Sequence, residues 1–194
     1  MTPTMQEHQQ EQASRSQIRH HRGVSYMINW LFYPKNKYAD ELSRGIIAVF
    51  EEKHTEIDSS CNDYKSDEVL AIVKEGLVDL GFNVEKSKKH NDKIQVPVLF
   101  GTNGRIEKAF EADAFHKEAK YIIEVEAGRA VVNYQFLKDF FEACAMSEVD
   151  HLCIAVRNTY RNYKDFDRMC LFFDALYQSG RLGIPLKGLL LIGY

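Results

Sequence analysis

The chain lacks an apolar run long enough to cross a bilayer, for which about 20 consecutive apolar residues are needed. Nothing at its start reads as a signal peptide, because residues 1–12 are polar and rich in glutamine. No Cys-x-x-Cys spacing links the four cysteines, Cys61, Cys144, Cys153 and Cys170. Three of them fall in helix or strand patterns, where a thiol acts as a small buried apolar group. These absences argue against a disulfide scaffold and a structural zinc site. They predict a cytoplasmic protein with free thiols and no membrane partner. Net charge is also small, at -3, so no global field pulls the chain towards a polyanion. A mildly acidic balance still allows such a ligand, since metal-binding carboxylates count as negative charge until a cation offsets them. There is one tryptophan, Trp30, and no internal repeat.

What is present suffices for one domain. The 194 residues are 45% hydrophobic, enough for a full core. Residues 1–23 read as a flexible N-terminal arm of Gln, Glu, Ser and His without periodicity. Its basic second half, with Arg15, Arg19 and Arg22, is either a phosphate contact or a solvated tail. Residues 24–194 form the domain. Residues 24–33 are apolar and aromatic, fitting helix or strand. Leu42, Ile46, Ile47, Val49 and Phe50 recur at helical spacing within 38–56. Ser66 is placed to cap a second helix that Gly81 ends. Strands are predicted over 82–85, 95–100, 109–116, 121–125, 149–156 and 188–192, and helices over 131–146 and 164–179. Pro97 marks its strand as an edge or a bulge. The order is α/β: a mixed central sheet flanked by helices, antiparallel early and parallel later.

The stretch 111–129, EADAFHKEAKYIIEVEAGR, is the centre of the reading. Alternation along a strand puts Glu124 and Glu126 on one face, about 7 Å apart, with Val125 opposite. A polar turn at 116–120 would fold the preceding run back and bring Asp113 alongside Glu124. Carboxylates among β-branched and aromatic residues must be paired, metal-bound or protonated. An all-oxygen cluster suits Mg²⁺, Mn²⁺ or Ca²⁺. The alternative is a wet sheet face on which both glutamates are merely solvated.

The element order and the acidic residues on adjacent strands resemble the PD-(D/E)XK nuclease superfamily, which has the restriction endonuclease-like fold. Its αβββαβ core would span about 66–158. Asp113 matches the family Asp, Glu124 the acidic position and Val125 the free one. Glu126 stands where Lys is usual, and Ala112 where the motif has Pro. The resemblance implies a metal-dependent nuclease acting on DNA. Asp113, Glu124 and the Val125 carbonyl would bind Mg²⁺ (or Mn²⁺), and Glu126 would act as general base or hold a second cation. Lys138 is placed to stand in for the missing Lys, and Glu68 or Glu75 to add a helix carboxylate. Each of these has an ordinary surface reading as well. Arg129, Arg157 and Arg161, with Lys164, are candidate nucleic-acid contacts. Cutting both strands of a duplex would require a homodimer. Two rivals remain: a catalytically inactive protein of the same fold that binds nucleic acid or protein, and a hydrolase using paired carboxylates on a sugar.

Overall fold

A computed structural model describes residues 28–86, 92–128, 130–131, 134–161 and 163–194. The arm predicted over residues 1–23 lies outside them.

Strand β6 (Tyr121–Glu126) shows how the sheet distributes its side chains. Tyr121, Ile123 and Val125 face one core, while Ile122 faces a second. The first core is closed by Ile46 and Phe50 of helix α1 (Glu41–Ile57) and by Val69, Val73 and Leu77 of α2 (Ser66–Asp79). The second is closed by Phe136 and Phe140 of α3 (Gln135–Ala145) and by Met169 and Phe173 of α4 (Asp165–Ser179). Period-two alternation on the strands and helical stripes on both sides thus give three layers. Each fully buried Ile, Leu or Phe contributes about 1.5–3 kcal/mol.

Six strands make the main sheet: β1 (Asn29–Tyr33), β2 (Asn83–Val84), β5 (Ala114–His116), β6, β7 (His151–Val156) and β8 (Gly188–Gly193). Their spatial order is β1-β8-β7-β6-β5-β2. β6, β7 and β8 run parallel, joined by crossovers through α3 and α4, and the outer pairings are antiparallel. This is a mixed α/β fold with a mixed sheet and four helices among the described residues. β3 (Ile94–Phe100) and β4 (Ile106–Ala112) pair separately as a hairpin. Two register shifts after Pro97 give β3 the irregularity that its proline predicts.

The first apolar run, open between helix and strand, is strand over residues 29–33 and pairs with β8. The elements differ from expectation in three places. Ser66 is the first helical residue rather than the cap, and the Glu68 carboxylate accepts from Lys65 N–H at 2.7 Å. The single strand predicted over 109–116 is two, β4 and β5, broken at Asp113 where the chain changes partners. Helix α3 begins at Gln135 rather than at 131, because Tyr134 takes a left-handed conformation (φ 51°) that helical backbone cannot continue. No helix among the described residues is long and apolar enough to span a membrane.

Candidate functional site

The break between β4 and β5 positions the site. Ala114 lies opposite Ile123 in the β5–β6 pairing, which sets Asp113 beside Glu124. The Val125 N–H donates to Asp113 Oδ2 at 2.8 Å, fixing the carboxylate against β6. Glu124 and Glu126 leave β6 on the face of Ile122, towards α3. There they meet a polar stripe of Gln135, Lys138, Asp139 and Glu142 at i, i+3, i+4 and i+7. All seven side chains line one cavity of about 200 Å³. It opens at the carboxyl end of β6, where open α/β sheets generally bind ligands. Glu85, Lys93 and Glu111 close another side of it.

The electrostatics are unusual for so small a cavity. Burial raises Asp113 to about 6, against the lowering effect of the Val125 N–H. Burial, then the charges of Asp113, Asp139 and Glu126, push Glu124 well above the carboxylate range. Glu126 is raised to about 8 by burial and by Asp139 and Asp113. Asp139 is raised to about 6, again first by burial. Asp113, Glu124 and Glu126 are half-buried and Asp139 is buried, and four acidic groups in one cavity disfavour one another's ionisation, so the cation-free cluster takes up protons. Asp139 is 6% exposed, and its Oδ2 has no hydrogen-bond partner. Its Oδ1 accepts from Gln135 Nε2 at 3.3 Å.

Two lysines reach this cavity. Lys138 Nζ lies 3.4 Å from Glu142 and 3.9 Å from Asp139. Burial lowers its pKa, but Glu142 and Asp139 outweigh that and hold the ammonium above its ordinary value. Lys93 Nζ bridges Glu85 at 3.1 Å and Glu111 at 3.3 Å. It too has its pKa lowered by burial and raised further by those carboxylates.

The donor set, oxygen only and charged only at a cost, has the chemistry of a Mg²⁺ or Mn²⁺ site, and the orphaned Asp139 oxygen fits an ion or a water. Among the described residues, though, no three His, Cys, Asp or Glu side chains converge closely enough to hold a metal ion as they stand. An ion would be held here only after these side chains rotate towards the cavity centre.

Of the residues named from sequence, Asp113, Glu124, Val125, Glu126 and Lys138 come together here. Glu68 and Glu75 do not: Glu68 caps α2, and Glu75 is exposed. Arg129 lies outside the described residues. Arg157 is buried, with Nη1 2.6 Å from Asp63 Oδ1, Nη2 donating to the Tyr64 carbonyl, and its guanidinium over the Tyr160 ring. Arg161 is exposed and also lies over the Tyr160 ring, 5.2 Å from its centroid. Lys164 pairs with Asp167 at 3.8 Å. Sequence reasoning missed Asp139, whose signal was the polar stripe of α3. That pattern ordinarily marks a solvated face, and here it is turned inward over the glutamates. No family model matches the chain, and comparisons with curated proteins and with solved structures also find no match.

Proposed function

We propose that the protein is a metal-dependent nuclease with a restriction endonuclease-like core, formed by α2, the strands β2 to β6, α3 and β7. The observation that carries this reading is the placing of Asp113 against β6 by the Val125 N–H, next to Glu124 in a cavity of four proton-hungry carboxylates. Asp113, Glu124 and the Val125 carbonyl would hold Mg²⁺ (or Mn²⁺), with Asp139 within the same cavity. A bound ion would supply Lewis-acid charge to a scissile phosphate and a water of lowered pKa. Glu126, whose carboxyl is raised to about 8 without a cation, is placed to act as general base once ionised. Lys138 supplies the positive charge that Glu126 lacks, from the facing helix. Exclusion of bulk solvent by α3 strengthens each of these interactions.

DNA is the substrate of choice in this reading, cut on both strands by a homodimer in the cytoplasm. Plasmid incubated with Mg²⁺ or Mn²⁺ tests it. The parent should cut and the Asp113→Ala, Glu124→Ala double variant should not. No cutting by the parent, with melting temperature indifferent to Mn²⁺ and Ca²⁺, would sink it.

A second reading has its own support. Glu126 and Asp139 line one cavity and are both raised, so a proton held there satisfies the cavity without any ion. On that account the chain is a catalytically inactive protein of the same fold. Binding of nucleic acid unaffected by EDTA, without cutting, would favour it.

A further inference from the structure

The first turn of α3 separates two cavities. Gln135 lines the acidic one, while its neighbours Tyr134 and Phe136 line an open groove of about 560 Å³ on the other side. Phe172 and Leu171 of α4 form the groove floor and wall, and Tyr163 with Arg168 forms its far rim. Tyr134, Tyr163 and Leu171 are 60%, 47% and 73% exposed, a concentration of apolar surface beside a polar site. The Arg168 guanidinium lies 4.9 Å from the centroid of the Tyr163 ring, and Arg161 similarly covers Tyr160.

Tyr134 of the rim (φ 51°) and Arg161 of the loop before Tyr163 (φ 55°) hold left-handed backbone that non-glycine residues adopt at a cost. Gly128 lies just beyond the end of β6, and a Cβ there would come within 2.8 Å of the Tyr160 ring on that loop. A larger residue there would press on the loop that carries Tyr160 and Arg161.

Exposed aromatic side chains with Arg168 at the rim and Arg161 on the adjoining loop fit one ligand chemistry well. Bases stack on the rings, and their phosphates pair with the arginines, without sequence preference. An apolar peptide would satisfy the rings but not the cations. We infer that this groove takes an unpaired nucleotide segment, so that the protein engages single-stranded nucleic acid next to the acidic cavity. The choice of ligand rests on the nuclease reading, but binding does not require catalysis.

Fluorescence anisotropy in EDTA, with a short labelled oligothymidylate and a duplex of the same length, tests the inference. The parent should bind the single strand more tightly than the duplex. Tyr134→Ala with Tyr163→Ala should weaken single-strand binding roughly tenfold, at unchanged melting temperature. Arg168→Gln should weaken it less and reduce its salt dependence.

Equal affinity of parent and double-tyrosine variant would overturn the inference, as would failure of the parent to bind. Loss of a dimer in sedimentation on Leu171→Glu, with single-strand affinity intact, would assign the groove to a second copy and overturn it too. Binding without cutting would uphold the groove and reject the nuclease. Cutting by a double-tyrosine variant that binds like the parent would do the reverse.

Discussion

Glu126 on β6 and Asp139 on α3 line the same cavity, and two carboxyls so placed ionise together only at a cost. Burial and the neighbouring charges keep a proton on Glu126, raised to about 8. The cation-free protein thus carries a proton where strand and helix meet.

A pH dependence of stability follows from it. Glu126 is raised to about 8, and Asp113 and Asp139 to about 6, from ordinary values of 4.5 and 3.8. Between those limits the folded state binds more protons than the unfolded chain, so stability falls as pH rises. The contribution is complete below about pH 4 and lost through about 6 and then 8. Melting temperature in EDTA should therefore drop across that window. Glu126→Gln, which keeps the donor without the charge, should raise the alkaline end and flatten the upper part of the curve. A flat profile in the parent would refute the proton on Glu126.

Divalent cations should reverse this trend. Mn²⁺ or Ca²⁺ competes with protons for the same oxygens, so binding releases protons and stabilises more at pH 8 than at pH 6. At a hundredfold excess over Kd, mass action supplies about 2.7 kcal/mol. Glu124→Gln is the informative control. Because burial and the neighbouring acids favour the neutral form of Glu124 without a cation, the variant should melt like the parent in EDTA and lose the response to Mn²⁺. A variant that retains the full response would remove Glu124 from the ligand set.

Local features carried much of this arrangement in the sequence. The apolar alternation of β6 and the stripes of α1 and α2 follow from spacing alone, and the polar turn at 116–120 implied that Asp113 returns to Glu124. The break in the strand at Asp113 was not legible, because its cause is a change of pairing partner from β3 to β2 and β6. Asp139 was hidden for a related reason. Its burial depends on how α3 crosses the sheet, and no propensity of Gln135-x-x-Lys138-Asp139-x-x-Glu142 distinguishes a covered stripe from a solvated one.

Arg157 and Arg161 should separate cleanly under mutation. Arg157 pins the loop after α1 through Asp63 and the Tyr64 carbonyl and is itself buried. Arg157→Ala should cost about 2 kcal/mol, the scale of charge-assisted hydrogen bonds. Arg161→Ala, at an exposed position, should change stability by less than about 0.5 kcal/mol. Urea titration of both variants measures this. Nucleic-acid affinity, read at a denaturant-free temperature well below melting, should fall for Arg161→Ala and hold for Arg157→Ala. The opposite pattern would make Arg157 the contact.

The last prediction concerns which lysine serves the carboxylates. Lys93 already bridges Glu85 and Glu111 on the far side of the cavity, whereas Lys138 stands over Asp139 and Glu142 and its charge reaches Glu124. Methionine keeps the length of lysine and removes the ammonium. Lys138→Met should lower the rate of plasmid cutting by at least about a hundredfold, the scale of a lost acid–base or charge contact at a reacting centre, while leaving the melting temperature within a few degrees. Lys93→Met should do the converse, since it removes the ammonium that bridges Glu85 and Glu111 and chiefly loosens the join between β2 and the β3–β4 hairpin. Raising pH separates charge from geometry: a parent rate that holds up to pH 9, with the Lys138→Met rate low throughout, places the ammonium at the reaction. Equal rates for parent and Lys138→Met would leave Glu126 to act without a lysine.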